Sequence, residues 1–212
     1  MLTNWGYEIM SADALPNLLS IAEFDELTAG KYRGDARTVA NIHAAQDSIR
    51  NYCGWHIAGP LSCRVVLTPQ DKWISFNRGD VLVQLPARFV SAISHVYVNA
   101  TATEGVWTGR EPDYYLDPNG LVRLYDVGYL PRKSRIVIEY TAGLSAEMCS
   151  GIKELVAHRV THALASSAGV QSETAGNVSI TYSANWINSA RATALADDNK
   201  EMLAPYRVVG VL

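Results

Sequence analysis

The segment 135-RIVIEYTAG-143 is the last of seven short runs rich in β-branched and aromatic residues, and these runs together indicate the fold class. Such runs, separated by Pro, Gly, Asn and Asp, are typical of β-strands. The six earlier runs, which begin at Cys63, are CRVVLT, KWISFN, DVLVQLP, ISHVYVN, DYYLD and GLVRLYD. Seven strands in about 80 residues predict a compact antiparallel sandwich or small barrel. DPNG at 117–120 predicts its clearest hairpin turn.

Two helical patterns precede the β runs. SIAEFDEL begins with Ser20 and has Glu23 three positions later, which is the spacing of a capping box. DARTVANIHAAQDSIRNYCG at 35–54 has apolar residues at helical intervals, with Asp35 in the place of an N-cap and Gly54 as a stop. It predicts an amphipathic helix of about five turns.

Helical periodicity returns at Ser145, directly after the last β run. The segment GIKELVAHRVTHALAS places an apolar stripe on one helix face, formed by Ile152, Leu155, Val156, Val160 and Ala163. A polar, Gly- and Ser-rich segment follows, and its one alternating piece, VSITYS, indicates a loop or a hairpin arm. A last helix is predicted in ATALADDNKEML. It should end before Pro205, because the residue that precedes a proline disfavours the α region.

We therefore predict an α+β fold in which a small helical bundle of three to four helices carries an inserted antiparallel β-sandwich or barrel-like domain. Extended arms are expected at both ends of the chain. The predicted parts are an N-terminal arm at 1–19, a helical core at 20–58 and 144–205, a β domain at 59–143, a flexible loop or hairpin arm at 168–190 and a C-terminal tail at 206–212.

Composition argues against several classes of protein. The chain has 48% hydrophobic and 18% charged residues, which is ordinary for a globular protein. A net charge of −3 without a dense Lys or Arg cluster argues against strong nucleic-acid binding. Neither a membrane-spanning apolar run nor a signal-peptide pattern is present, and three widely spaced cysteines indicate no disulfide framework. We expect a soluble, unexported protein with no cofactor and no membrane contact.

Glu154, His158 and His162 form the sharpest candidate for metal chemistry, because residues four apart rise along one side of a helix. With Glu154 set at zero, the two histidines fall near ~40° and ~80°, whereas the apolar stripe centres near ~170°. The three side chains therefore point to solvent or to a neighbouring subunit. The general-base carboxylate of HExxH is absent. We assign no metal site and keep a metal-dependent hydrolase as an alternative.

Arg159 falls near ~140° on the same helix, inside the apolar stripe. A buried guanidinium needs a carboxylate or several carbonyls, since an unpaired charge in a low dielectric is costly. The side chain could also extend along the stripe with its charge at the rim. Our hypothesis is that Arg159 pairs with an acidic residue of another helix or another subunit.

Motifs of other catalytic sites do not occur. The sequence lacks GxSxG, GxxxxGK[ST] and GxGxxG. Acidic pairs such as Asp197 and Asp198 have the placement of solvated helix faces, and no cysteine lies in a recognisably reactive setting. We predict no catalytic residue and expect that the protein is not an enzyme.

The order of the segments resembles one protein family. IAEFDEL, AQDSIRNYCGW, LPARFVSAISHVYV, IVIEYTAG, IKELVAHRVTHAL, GNVSITYS and LAPYR follow one another from about Ile21 to Arg207. This order resembles the head-to-tail connector (adaptor, head-completion) proteins of long-tailed bacteriophages and prophage-like elements. Many of those proteins are smaller and nearly all helical, so the β domain and the N-terminal arm are additions to the family pattern.

The resemblance implies a structural virion protein at the head–tail interface, assembled in the host cytoplasm. Members form a ring, typically a dodecamer, beneath the portal protein, and a downstream stopper or tail protein binds below. Genome DNA passes through the ring without specific binding, and a mildly acidic chain suits such a channel, because Lys and Arg would slow passage. Another neck component, a stopper or tail-terminator ring, remains an alternative.

Site residues follow from the resemblance and from the aperiodic apolar ends of the chain. The portal-binding residues predicted in the tail are Tyr206, Arg207, Val208, Val209, Val211 and Leu212. The predicted subunit-interface residues are Arg159, His158, His162, Trp5, Tyr7, Tyr182 and Trp186. In this interpretation Pro205 ends the last helix and the tail leaves the subunit body.

Overall fold

The computed structural model describes residues 1–11, 14–77, 79–103, 106–117, 119–165, 172–175, 178–181 and 197–208. The chain divides into a β unit, Met1–Pro16, Cys53–Glu147 and Tyr206–Leu212, and a helical unit, Asn17–Tyr52 and Met148–Pro205. None of the described helices is both long and apolar enough to cross a membrane. The predicted α+β fold class, helices together with antiparallel sheets, is confirmed.

Two antiparallel sheets form the described part of the β unit, with strand orders β1-β2-β9-β5-β6 and β3-β4-β8-β7. The strands are β1 Glu8–Ile9, β2 Leu61–Leu67, β3 Ile74–Asn77, β4 Asp80–Gln84, β5 Val90–Thr103, β6 Val106–Arg110, β7 Tyr114–Leu116, β8 Leu121–Leu124 and β9 Ile136–Ala142. Alternate residues are buried, including Cys63, Val65 and Leu67 in β2 and Val81 and Val83 in β4. Each sheet therefore has a buried face.

The hydrophobic pattern missed two strands and shortened a third. Each of the seven predicted runs contains a strand, but β1 and β6 were not predicted, and β5 extends well beyond ISHVYVN. Beyond Val98, β5 pairs with β6 alone among the described strands, after a shift of register before Thr101. The side chains of β6 are mostly exposed, so this strand carries no alternation of polarity for the sequence to reveal.

The DPNG hairpin turn is confirmed between β7 and β8. The Gly120 amide donates to the Asp117 carbonyl at 2.8 Å, and the Asn119 amide donates to the Asp117 carboxylate at 2.8 Å. Gly120 has a φ of +84°. A Cβ at this position would lie 2.7 Å from the carbonyl oxygen of Ala87. The turn therefore requires glycine for both its dihedral angle and its space.

The chain enters and leaves the sheets side by side. Ala58 and Leu144 form a parallel bridge. The Gly59 amide donates to the Leu144 carbonyl at 3.1 Å, and the Leu144 amide donates to the Ile57 carbonyl at 2.8 Å. A Cβ on Gly143 would lie 1.9 Å from the Gly59 carbonyl oxygen, so glycine alone permits this approach. Neighbouring entrance and exit points are the geometry that an inserted domain needs.

The described helices are α1 Ile21–Leu27, α2 Thr38–Cys53, α3 Ser150–Ala165 and α4 Asp197–Leu203, and β10 Ser172–Ala175 pairs with β11 Val178–Thr181. Helix α1 has the predicted capping box: the Glu23 amide donates to Ser20 Oγ at 3.2 Å, and the Ser20 amide donates to the Glu23 carboxylate at 2.8 Å. Helix α2 begins later than predicted. Asp35 instead accepts a 2.9 Å hydrogen bond from the Arg37 amide in the turn that precedes α2.

Candidate functional site

The N-terminal segment, predicted as an arm, contributes to the core of the β unit. Glu8 and Ile9 of β1 pair with Arg64 and Cys63 of β2. Tyr7 is 1% exposed. Its burial within its own unit argues against the predicted subunit contact. The half-buried Trp5 ring lies 6.1 Å from the Tyr7 ring, and its interface role stays a prediction.

Tyr7 belongs to a buried hydrogen-bond chain that the sequence did not reveal. Its hydroxyl lies 2.7 Å from Nδ1 of His56 and accepts from the His56 amide at 3.0 Å. The His56 Nε2 lies 2.8 Å from the Ala142 carbonyl oxygen. Because a carbonyl can only accept, Nε2 carries a proton and donates to the Ala142 carbonyl. The His56 imidazole therefore ties the N-terminal segment to β9.

The C-terminal segment Tyr206–Val208 binds to the β unit. The indole N–H of the fully buried Trp55 donates to the Tyr206 carbonyl at 2.6 Å. The Phe89 ring lies 6.1 Å from the Trp55 ring and 6.0 Å from the Tyr206 ring, so three aromatic rings form a row. This row defines the aromatic anchor of the tail.

Two backbone contacts extend the aromatic anchor. The Val208 amide donates to the Cys53 carbonyl at 2.9 Å, which satisfies one of the carbonyls left unpaired at the end of α2. Arg88 donates to the Arg207 carbonyl at 3.3 Å and to the Asn119 side chain at 2.8 Å.

The anchor corrects the prediction that Tyr206, Arg207 and Val208 leave the subunit body. They lie against it because a carbonyl and an amide of this segment complete hydrogen bonds with Trp55 and Cys53. Five further predicted site residues fall outside the described residues: Val209, Val211 and Leu212 of the tail, and Tyr182 and Trp186 of the predicted hairpin arm.

The histidine face of α3 is placed as the helical geometry predicted. Glu154 and His158 are exposed and His162 is half-buried, with the two imidazole rings 6.3 Å apart. Ile152, Leu155, Val156 and Val160 are buried on the other side. Across the described part of the chain, no three His, Cys, Asp or Glu side chains form a group that could hold a metal ion.

Arg159 is half-buried in the helical unit, between the apolar stripe and solvent. Its Nη2 lies 3.5 Å from Ser48 Oγ on α2. Burial lowers the pKa of the Arg159 guanidinium, because a low dielectric disfavours its charge. The contact with α2 agrees with an interhelical position for Arg159, while the proposed acidic partner stays a hypothesis.

All three cysteines are free and buried. Burial raises the pKa of Cys53 and of Cys63 to about 12, and it also raises the pKa of Cys149. A thiol must ionise to act as a nucleophile or a metal ligand. These cysteines are therefore core residues and offer no reactive group at neutral pH.

Solved structures with the same fold come from gene transfer agent particles. The chain matches a chain of the neck of an empty GTA particle computed with C6 symmetry, at 19% identity and a TM-score of 0.51. It matches a chain of the virion of a native gene transfer agent particle at 19% identity and a TM-score of 0.54. A chain of the neck of a native GTA particle computed with C12 symmetry gives 17% identity and a TM-score of 0.52.

Each of these three matches covers 97% of this chain and 97% of the other. At such low identity the likeness establishes the fold, and function must be argued separately. No protein-family model and no curated protein matches the sequence.

Proposed function

We propose that the chain is a non-enzymatic structural protein of a virion neck, a head-to-tail adaptor whose copies form a ring between the portal and the next neck or tail protein. The observation that carries this proposal is the fold shared over 97% of the chain with chains from gene transfer agent necks. Those necks were computed with C6 and C12 symmetry, which supports a closed ring of identical subunits. The order of sequence motifs supports the same function independently.

A ring subunit needs two different lateral surfaces, because a cyclic assembly joins neighbours head to tail. The side of α3 that carries His158 and His162 is one candidate, because it lies opposite the apolar stripe that fills the core. Trp5 is another, because its ring is half-buried beside Tyr7 and could be covered by a neighbour. Genome DNA would pass through the ring without sequence-specific contacts.

Portal attachment is assigned to the end of the tail, residues 209–212, which follow the aromatic anchor in the sequence. Deleting 209–212 leaves Tyr206, Trp55 and their hydrogen bond intact. Deleting 206–212 removes the anchor as well. We expect both truncations to lose portal attachment, and only the longer one to lose stability. Normal attachment of the shorter truncation would refute the tail assignment.

Co-purification tests the proposed function. The tagged full-length chain, co-expressed with the portal protein of the same particle, should retain that protein in stoichiometric amounts. Retention of a tail protein without the portal would identify a stopper or tail-terminator ring instead. Recovery of neither protein would refute the neck assignment.

The alternative metal-dependent hydrolase requires Glu154, His158 and His162 to gather a ligand set, which the described side chains do not form. Elemental analysis of the purified chain separates the two proposals. We expect substoichiometric metal that is unchanged by His158→Ala. About one metal per chain, lost in that variant, would favour the hydrolase.

A further inference from the structure

A cluster of cations lies at one end of the β unit, where β6 meets the loop that joins β8 and β9. Four exposed basic side chains belong to it: Arg110, Arg132, Lys133 and Arg135. Segments 106–110 and 125–135 contain a single acidic residue, Asp126. The chain as a whole has a net charge of −3, whereas this end is positively charged, which corrects the expectation that the chain has no dense Lys or Arg cluster.

The loop that carries the cluster is held in a defined conformation. The Ser134 amide donates to the Pro131 carbonyl at 2.8 Å, which closes a turn with Arg132 and Lys133 at its two central positions. The Ser134 hydroxyl donates to the Asn99 side chain at 2.7 Å, and the Ala100 amide donates to the Arg135 carbonyl at 2.9 Å. Hydrogen bonds to β5 therefore fix the position of the turn that carries Arg132 and Lys133.

Two further contacts join β6 to the same loop. The Arg110 guanidinium donates to the Asp126 carbonyl at 2.8 Å and to the Val127 carbonyl at 3.4 Å. The Arg135 guanidinium lies over the Trp107 ring, 5.6 Å from its centroid. Both arginines are thereby oriented without being neutralised. In the described part of the chain, none of the four basic side chains forms an ion pair.

We propose that this cluster, the basic turn, contacts the phosphate backbone of duplex DNA. Phosphate contacts are made by Arg and Lys, with Tyr hydroxyls as additional donors, and Tyr129 beside the turn is 86% exposed. An acidic protein surface is the less favoured partner, because the exposed two-residue tip of the turn presents no apolar centre. The inference rests on the proposed neck position only in that a neck brings DNA within reach.

The contact is weak and independent of base sequence, which is compatible with passage of a genome. With Arg132, Lys133 and Arg135 each neutralising one phosphate, the slope of log K against log salt is about −2.7. Binding by one chain should then fall about 40-fold between 50 and 200 mM salt. In a ring the cluster would recur once per subunit, and simultaneous contacts would raise the overall affinity.

The test is a salt titration of the full chain with a labelled 30-base-pair duplex, followed by fluorescence anisotropy. Arg132→Ala/Lys133→Ala should reduce the slope to about −0.9, so that the loss over the same salt range is about 3-fold. Lys31→Ala/Arg33→Ala removes the same charge from an exposed part of the helical unit and is the matched control. We expect this control to keep the slope of the unmodified chain.

Equal slopes for the two double variants, or no binding of the unmodified chain at 50 mM salt, would overturn the proposal. Portal co-purification by Arg132→Ala/Lys133→Ala distinguishes the remaining cases. Under the proposal it is unchanged, so loss of DNA binding leaves the neck assignment intact. Loss of portal binding with unchanged DNA binding would show that the turn recognises an acidic protein surface, and the DNA contact would be wrong.

Discussion

The two ends of the chain are held to the β unit through different chemical groups. At the N-terminal end, Tyr7 is buried and its hydroxyl completes the hydrogen bonds of His56. At the C-terminal end, Tyr206 is half-buried, and its backbone carbonyl accepts the bond from Trp55. The N-terminal attachment therefore depends on the side chain of Tyr7. The C-terminal attachment depends instead on Trp55, which donates to a backbone carbonyl of the tail.

The largest expected effect is that of Tyr7→Ala. It removes a buried aromatic ring and leaves two polar groups of His56 without their partner, so the free energy of unfolding should fall by about 3–5 kcal/mol. Tyr7→Phe keeps the ring and should cost about 1–3 kcal/mol. Urea unfolding measures both. A loss below about 1 kcal/mol for Tyr7→Ala would contradict the core role of this residue.

Trp55→Phe should have an intermediate effect, located at the other end of the chain. It removes the indole donor to the Tyr206 carbonyl while keeping an aromatic ring beside Phe89, which should cost about 1–2 kcal/mol. The Val208 amide, which donates to Cys53, should exchange its hydrogen faster. Tyr206→Ala keeps the carbonyl and serves as the comparison. If Tyr206→Ala accelerates this exchange more than Trp55→Phe does, the side chain rather than the backbone holds the tail.

Glu23 gives a smaller, pH-dependent contribution in the helical unit. The 2.6 Å bond from Lys153 and the bonds from Ser20 lower the pKa of Glu23 from 4.5 to about 2. A lowered folded-state pKa stabilises the fold above the unfolded pKa, and that stability is lost as pH falls from about 5 to about 2. The Glu23 side chain is 39% exposed, so solvent screening limits the effect to about 1 kcal/mol.

Glu23→Gln tests this contribution because it removes the charge and retains an acceptor for the capping box. Its unfolding free energy should differ from that of the unmodified chain at pH 7 and converge with it near pH 2. Glu26→Gln, at an exposed position of the same helix, is the control. A Glu23→Gln difference that stays constant from pH 7 to pH 2 would rule out the ionised pair as its source.

The smallest effect is expected for His158→Ala. The His158 side chain is exposed and lies outside the apolar stripe of α3, so this substitution should change the unfolding free energy by less than about 0.5 kcal/mol. A ring assembly assay of His158→Ala shows whether the histidine face is a lateral contact. Unchanged stability with impaired assembly would support that role, whereas normal assembly would remove it.

Local chemistry made several parts of the fold predictable. The Ser20 and Glu23 spacing, the Gly120 turn and the α3 stripe each depend on residues close in sequence, and all three are present. The histidine face was predictable for the same reason, since helical geometry alone sets its direction.

The attachments of the two chain ends depend on partners far away in sequence. His56 and Ala142 complete the Tyr7 contacts. Trp55 donates to the backbone carbonyl of Tyr206, and a backbone carbonyl leaves no signal in the sequence. Likewise, Arg110 joins the other three cations of the basic turn only after β5 and β6 have paired. At the N-terminal end Tyr7 and Ile9 are buried within the β unit, but the sequence did not specify which surface would cover them.

The mass of the purified chain, alone and mixed with the portal protein, tests the neck assignment most directly. Light scattering followed by negative-stain imaging should show ring-sized particles or a stoichiometric complex with the portal. Either result would establish an oligomeric neck component. A chain that remains monomeric and does not bind the portal at any mixing ratio would contradict the proposed adaptor ring.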